Sequence, residues 1–562
     1  MGVPSYVAGT SDTPLLFKTV GAALDDAAAE FGDRPALIVP HQGVRYSYHE
    51  LREKAETVAA NLLSLGLNPG DRVGIWSPNR AEWVVTQFAT AKAGLILVNI
   101  NPAYRLSELE YALNKVGCKA LVLAEKFKSS DYVAMVRELA PEIDDSSPNE
   151  LSAKRLPELK SAIVIAETPP AGFLGFNALT RPASSDAQEK LAELQPTLQP
   201  DDPINIQFTS GTTGHPKGAT LTHHSIVNNG YFVAERQSFT EKDVLCIPVP
   251  LYHCFGMVMG VLGCVTHGSA IVLPGEAFEP ESVLAAVEAE KCTALYGVPT
   301  MFIAELEHAG FSRFDLSSLR TGTMAGSPCP IEVMKRVISD MHMSEVTIAY
   351  GMTETAPVSF QSKKDDPLDK RVGTVGQIHP FVEVKIVDED GRTVGRGEQG
   401  ELCTRGYSVM QGYWADEERT TEAIDSAHWM HTGDLATMDE DGYVNITGRL
   451  KDMIIRGGEN IYPREIEEFL YTHPAVQDVQ VFGVPDDRMG EEVCAWILLR
   501  EGEQATDEDV RGFCKGQIAH YKVPRYIRFV SEYPMTVTGK IQKFEMRNAM
   551  RDELAVGEQK TA

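Results

Sequence analysis

The chain has no Cys-x-x-Cys pair and no regular cysteine spacing. Its nine cysteines, at 118, 246, 254, 264, 292, 329, 403, 494 and 514, are odd in number and scattered through 562 residues. That pattern excludes a disulfide framework and a zinc knuckle, and it points to a reducing compartment. Long apolar runs are also missing. The longest, Phe255 to Val265, is well short of the roughly twenty residues a bilayer requires, so no integral membrane segment is expected. Residues 1–20 carry no basic stretch followed by an apolar core, and Tyr6 stands where myristoylation prefers Ser or Thr. The last four residues, Gln559 to Ala562, match no targeting address, and the expected location is cytoplasmic. Positive charge is scarce: 52 Lys and Arg against 79 Asp and Glu leave −27, which argues against nucleic acid or an anionic membrane as partner. There is no internal repeat and no low-complexity tract. What remains is an ordinary globular composition, long enough for two to four domains and a large core.

Against that background one stretch stands out. Thr209, Ser210, Gly211, Thr212, Thr213, Gly214, His215, Pro216, Lys217 and Gly218 follow the apolar run Ile204 to Phe208, which reads as a strand, and precede His223 to Tyr231, which reads as a helix. Glycines, small hydroxyl side chains and a lysine in such a loop suit a phosphate cradle, because backbone N–H groups can close around phosphate oxygens. It is not a Walker A loop, since Pro216 occupies the place of the second glycine.

Residues 46–125 alternate helical patterns (near Tyr48–Leu65 and Ala81–Ala93) with short apolar runs (Arg72–Trp76, Leu95–Asn99, Ala120–Leu123), the rhythm of βαβ units and a mostly parallel sheet. Residues 141–200 read as an irregular Pro/Ser/Asp-rich excursion. A second α/β block is expected over 204–365, with strands at Val244–Val249, Ala270–Leu273, Ala294–Tyr296 and Val346–Ala349. From about 371 to 450 short β runs with Asp-Gly turns predict a small barrel or sheet. From 451 onward a helix at Pro463–Tyr471, strands at Val476–Val484 and Glu492–Leu499, and a helix at Asp507–Ile518 predict a separate α+β domain. The expected fold class is therefore α/β: a body over 1–450 of two α/β subdomains plus the β-rich part, then a small mobile α+β domain over 451–562.

Four further stretches complete a constellation. Tyr350-Gly351-Met352-Thr353-Glu354 offers an aromatic face, a hydroxyl and a carboxylate suited to hold Mg²⁺ against phosphate. Thr432-Gly-Asp434-Leu reads as a tight turn whose carboxylate suits the two hydroxyls of a ribose. Arg449 supplies a forked donor. Pro534 to Lys540 places a lysine after a glycine near the far end of the chain. Singly these motifs are weak; in this order and spacing they resemble the adenylate-forming superfamily of acyl-CoA synthetases, luciferases and peptide-synthetase adenylation domains, over nearly the whole chain.

The resemblance implies a two-step reaction. A carboxylate attacks the α-phosphorus of ATP and expels pyrophosphate, and the thiol of CoA then attacks the acyl-adenylate and expels AMP. It assigns Thr209 to Lys217 to the β- and γ-phosphates, Tyr350 to adenine, Thr353 to the α-phosphate, Glu354 to Mg²⁺, and Asp434 and Arg449 to the ribose. Lys540 bridges the carboxylate and α-phosphate oxygens in the first step only. Gly326 and Gly351 lie in segments that line the nucleotide and acyl sites. Lys451 takes the hinge position, about which the tail rotates to withdraw Lys540 and present Gly457, Gly458 and Glu459 to the pantetheine of CoA. His253, Phe255 and Gly256 fall in the stretch that shapes the acid pocket, with His253 as wall and not as acid or base. His223 and His224 read as helix-capping and surface residues.

The expected activity is an ATP-dependent fatty acyl-CoA ligase of the medium-chain branch, with ATP, Mg²⁺ and CoA, and a small carboxylic acid as partner. Aryl, branched and short thioether acids stay open, as does a homodimer. The rivals are an enzyme that loads a carrier protein, a luciferase-like oxygenase, and a non-catalytic nucleotide binder, for which Lys540 would have no use.

Overall fold

The computed structural model describes residues 3–209, 216–456, 459–486, 488–515, 517–536 and 541–561, with backbone alone for 459–460 and 555–561. Its body is built on two large sheets. The first has eight strands in the order Leu174–Gly175, Ser161–Ile165, Cys118–Ala124, Arg72–Trp76, Ile96–Asn99, Pro203–Thr209, Lys217–Thr222 and Gly412–Tyr413. Its centre is parallel and buried on both faces, so Arg72–Trp76 reads as a continuous apolar run. The second sheet has nine strands and runs from Gln377–Ile378 through Val358–Gln361, Glu345–Gly351, Thr321–Ala325, Ala294–Gly297, Val244–Cys246 and Ala270–Val272 to Pro35–Val39 and Val44–Ser47. Helices such as Tyr48–Ser64, opened by a Ser47–Glu50 capping box, and Ala81–Lys92 pack between the sheets in one continuous core.

Four expectations are corrected here. The boundary near 204 does not separate the blocks: Pro203–Thr209 pairs in parallel with Ile96–Asn99, while Pro35–Val39 pairs with Ala270–Val272 in the other sheet. Residues 141–200 are not merely an excursion, since Ser161–Ile165 is a fully buried strand beside Cys118–Ala124. The phosphate stretch does not run from strand to helix. Lys217–Thr222 first pairs antiparallel with Pro203–Thr209, Thr209 opposite Lys217, and only then does Thr222 cap the helix His223–Arg236. Thr220, Leu221 and Thr222 favour a strand, and Thr222 is a strong N-cap. Finally, His223 is neither cap nor surface: it is 1% exposed, and its Nδ1 accepts the Val20 N–H at 3.0 Å. Burial without a charged partner drives its pKa down to about 3.

The β-rich part is an open five-stranded antiparallel sheet, in which Tyr6–Ala8 from the start of the chain edges Val382–Val387, followed by Gly400–Gly406, Met430–Met438 and Val444–Arg449. The tail has its own sheet: Glu459–Ile461, Ile454–Arg456, Gly490–Leu499 and Val476–Asp486, with Tyr526–Phe529 parallel to Gly490–Leu499. Its core is a separate cluster around Ile466, Leu470, Val479 and Ile497. Arg464 Nη1 donates to the Ile446 carbonyl at 2.8 Å, and Arg500 meets Glu307 at 3.7 Å, so the tail rests on the body.

Candidate active site

The site lies where the edge of the first sheet meets the C-terminal end of Glu345–Gly351 in the second. Gly351 is the last residue of that strand, and a Cβ there would lie 1.7 Å from the Pro357 carbonyl oxygen, so only glycine fits. The chain then turns through Thr353–Thr355, which places Thr353 and Glu354 side by side, both buried. The Cys254 thiol donates to Thr353 Oγ1 at 3.9 Å.

Glu354 is tied to both ends of the phosphate stretch. At the near end Thr209 Oγ1 donates to Glu354 Oε1 at 3.3 Å. At the far end Lys217 Nζ donates to the Tyr413 hydroxyl at 2.9 Å, and that hydroxyl donates to Glu354 Oε1 at 2.8 Å. Ser210, Gly211, Thr212, Thr213 and Gly214 lie outside the described residues. Tyr413 was missed by the sequence reading. It belongs to a two-residue strand, Gly412–Tyr413, that carries no periodicity, and it joins Lys217 across 196 residues of chain. Burial lowers the pKa of Lys217, opposed by Glu354 and reinforced by the nearby charges of Arg419 and Lys451. Arg419 is itself paired with Asp416 at 3.5 Å, so Lys217 is the cation joined to the buried Glu354 carboxylate through Tyr413. Burial, and then the Glu354 carboxylate, push the Tyr413 phenol well up, so it stays a donor.

The second network joins the residues expected to hold the nucleoside. Tyr350 OH donates to Asp434 Oδ2 at 2.6 Å, and Arg449 Nε donates to Asp434 Oδ1 at 2.9 Å. Burial and the Asp434 charge raise the Tyr350 pKa far above its usual value, and Asp434 holds Arg449 more firmly protonated. The Thr432-Gly-Asp434 stretch is not a tight turn. It sits inside the strand Met430–Met438 as an irregularity, where Gly433 adopts φ +70°. Thr432 Oγ1 accepts the Asp434 N–H at 3.1 Å and donates to the Leu402 carbonyl, and Glu401 Oε1 accepts the Gly433 N–H at 3.1 Å. The kink aims Asp434 at Tyr350. Gly326 follows the strand Thr321–Ala325 at φ +92°.

A cavity of about 320 Å³ lies in the body, and no residue of the two networks lines it. It is lined by Pro250, Tyr252, Thr300, Met301 and Ala304 from the body, and by Met535 and Thr536 from the segment that leads to Lys540. Lys540 itself lies outside the described residues, as do Gly457 and Gly458; of Glu459 only the backbone is described, in the strand Glu459–Ile461. Phe255 and Gly256 are not among the cavity's lining residues. Both open a buried π-helical turn, Phe255–Leu262, where Phe255 packs on Tyr296 and a Cβ on Gly256 would meet the Pro250 carbonyl at 2.6 Å. His253, half-buried one step from Tyr252, accepts the Phe255 N–H through Nδ1 at 3.2 Å. Lys451 lies between the strands Val444–Arg449 and Ile454–Arg456.

The AMP-binding enzyme family matches residues 24–414, and the AMP-binding enzyme C-terminal domain matches residues 465–540. The chain belongs to the AMP-binding enzyme family, among its acyl-CoA synthetases. It is 50% identical over 555 residues to the medium-chain acyl-CoA ligase ACSF2, mitochondrial, of Danio rerio, covering 98% of this chain and 91% of the relative. It is 49% identical over 534 residues to the putative acyl-CoA synthetase YngI of Bacillus subtilis strain 168, covering 95% and 97%. Among solved structures, the anthranilate CoA ligase AuaEII in complex with anthranoyl-AMP superposes with a TM-score of 0.85 at 28% identity, over 97% of this chain and 99% of that one. The α/β body with a C-terminal α+β unit expected from the sequence is the fold found.

Proposed function

We propose that this AMP-forming acid–thiol ligase activates a medium-chain fatty acid and transfers it to CoA. The observation that carries the reading is the tethering of Glu354 to both ends of the phosphate stretch, through Thr209 and through Tyr413 to Lys217. The buried Glu354 carboxylate would be one ligand for Mg²⁺ bound against phosphate, since that ion takes one or two carboxylates together with substrate phosphates and waters, and Lys217 would meet the phosphate itself. Held by Glu354, such an ion would supply charge neutralisation to the pyrophosphate leaving group.

The rest is done by the chain's own residues. Lys217 takes the outer phosphates, Thr353 the α-phosphate, Tyr350 the adenine face, and Asp434 with Arg449 the ribose. Lys540 contributes a cation where negative charge grows during attack on the α-phosphorus, which is worth about 3–4 kcal/mol in a preorganised site. Support for an acyl-adenylate comes from the anthranoyl-AMP held by the superposing ligase. Met535 and Thr536 reach the cavity beside Tyr252, whereas the Ile454–Arg456 hairpin strand does not line it, which favours reading this arrangement as the adenylating one. Rotation about Lys451 then brings Gly457, Gly458 and Glu459 forward for the second step.

The cavity shares Phe127, Lys128, Glu276 and Ala277 with an open groove that also holds His41 and Arg80. The groove sets Arg80 and Lys128 against Glu276 and Glu279, with Arg80 Nη1 on Glu276 at 2.6 Å, so it holds no excess of cations, and the apolar arm alone suits either the pantetheine of CoA or an acyl chain. His253 remains the proposed wall of the acid pocket on the other side of Tyr252, with Phe255 and Gly256 shaping it from behind through packing. The medium-chain preference follows the relative from Danio rerio, and the cytoplasm is the compartment we favour, in line with nine cysteines that are all free and buried.

The test is AMP formation from ATP and Mg²⁺ across straight-chain acids from propionate to palmitate, plus benzoate and phenylacetate, with and without CoA. AMP that requires CoA and peaks at a medium chain supports the reading. Turnover without CoA dependence, or with aryl acids alone, overturns it.

A further inference from the structure

We infer that Tyr413 is a positioning residue that keeps Lys217 and Glu354 joined through one neutral oxygen, rather than as a direct ion pair, so that the lysine stays available to a polyphosphate and the carboxylate to its divalent cation. The inference rests on the function proposed above and adds to it a residue that neither the motifs nor the relatives' names assign.

A lysine and a glutamate buried within reach of each other tend to collapse onto one another, since an unpaired buried charge is costly and a contact pair less so. Two charges locked together serve neither phosphate nor metal. Here the phenol stands between them. It has one proton to give and lone pairs to receive: it gives to Glu354 Oε1 at 2.8 Å and receives from Lys217 Nζ at 2.9 Å. The ring also lies under the ammonium, 4.2 Å from ring centroid to Nζ, so Lys217 gains a partner that leaves its other protons free.

The ring is fixed from several sides. Tyr413 is 5% exposed, pairs with Ala219 at the sheet edge, and its N–H donates to Thr420 Oγ1 at 2.9 Å. Next to it the Trp414 N–H donates to the Gly218 carbonyl at 2.7 Å, and upstream the Met410 N–H donates to the Glu354 carbonyl at 2.9 Å. Residues 410–414 therefore stitch the strand that carries Lys217 to the turn that carries Glu354. A group so placed sets the distance between the two, and the distance is what a polyphosphate with a bridging cation must match.

The test is Tyr413→Phe, which keeps the ring, its packing and its contact with the ammonium and removes only the hydroxyl. The hydroxyl serves two charged partners, so its loss is expected to weaken ATP binding in Mg²⁺ by about tenfold to a hundredfold by calorimetry, and to raise the Mg²⁺ concentration needed for ATP–pyrophosphate exchange comparably. Binding of AMP, and thioester formation from supplied acyl-adenylate and CoA, are expected to stay within about twofold, because neither ligand carries the outer phosphates. In a double-mutant cycle with Glu354→Gln the two effects should fall well short of additive. Unchanged ATP affinity and Mg²⁺ dependence, fully additive effects, or equal loss in AMP binding and in the second step would each overturn the inference, the last by showing a merely structural role. Failure of the wild-type protein to bind ATP in Mg²⁺ at all would strike the underlying function and not this assignment.

Discussion

The body and the tail divide the chemistry unequally. In the body the described side chains proposed to hold the nucleotide are joined to one another: Tyr350 to Asp434, Asp434 to Arg449, Thr209 and Tyr413 to Glu354. These groups hang on the two large sheets and on the five-stranded β-rich sheet packed with them, so their geometry is set before substrate arrives. The tail has a small core of its own and, among the described residues, touches the body through contacts such as Arg464 to Ile446 and Arg500 to Glu307. A unit with its own core relocates at little cost. In the proposed function the nucleoside residues of the body serve both half-reactions, Lys217, Tyr413 and Glu354 serve the outer phosphates of the first, and each tail segment serves one step alone.

The sharpest way to break that division is Lys540→Ala. Loss of a cation at the growing charge is expected to cost near a thousandfold in acyl-adenylate formation while thioesterification of supplied acyl-adenylate stays near wild type. Equal loss in both steps, measured separately, would place Lys540 in the shared machinery and erase the contrast. The mirror case is Asp434→Ala. It removes the acceptor for both Tyr350 and Arg449, and the ribose is present in ATP and in the adenylate alike. Both half-reactions should therefore fall by about tenfold to a hundredfold in kcat/KM, the worth of hydrogen bonds to a charged group. A loss confined to the first step would show that the ribose is held differently once pyrophosphate has left.

The body also carries a cost the sequence did not announce. His223 and His379 are buried and neutral, His223 with its pKa driven to about 3, and burial drives His267 down to about 4. The unfolded chain takes up protons below about pH 6.5 that the folded body refuses until far lower. The stability these residues contribute is complete above pH 6.5 and is lost as the pH falls toward 4, at up to about 1.4 kcal/mol per pH unit for each histidine. Urea unfolding of the body between pH 7 and pH 4.5 should show this slope, and His223→Gln should flatten it by roughly one histidine's share. A slope unchanged by that substitution would mean that His223 is not the neutral core residue described.

How much of this was legible depended on whether a feature was local. Arg72–Trp76, Tyr48–Ser64 and Pro463–Leu470 were readable because their apolar spacing and caps sit within the element itself. The site motifs were readable because each is a short run of special residues. What escaped was pairing over distance. Thr321–Ala325 is a central strand, yet Thr-Gly-Thr-Met-Ala has neither alternation nor a β-branched run, and only its two neighbours make it one. Ser161–Ile165 hid in a stretch rich in proline and serine. The phosphate stretch was assigned to the wrong kind of connection because a strand of small residues and threonines, Lys217–Thr222, resembles a loop. Tyr413 had no signal at all, being one aromatic in a two-residue strand whose partners lie 59 and 196 residues away.

The least dramatic prediction is the one that best tests what the cavity is for. Ala304 lines it together with Tyr252 and Met535, from the helix Pro299–Leu306. Ala304→Leu adds three carbons to the wall; overpacking of this kind costs about 1–3 kcal/mol, and near its low end that is roughly tenfold in an equilibrium. If the cavity receives the arm of CoA, the variant should raise KM for CoA by about that factor and slow the second half-reaction. ATP–pyrophosphate exchange with the preferred acid, which never meets CoA, should keep its rate and its chain-length optimum. If instead the cavity receives the acyl chain, exchange itself should shift toward shorter acids, because each methylene displaced from an apolar wall forfeits about 0.8 kcal/mol. The two outcomes separate cleanly because the half-reactions share the nucleoside residues of the body and differ in the tail segment each uses. A shifted chain-length optimum in Ala304→Leu would move acid selection to the body–tail boundary, where Met535 and Thr536 would then help to choose the substrate as well as to time the step.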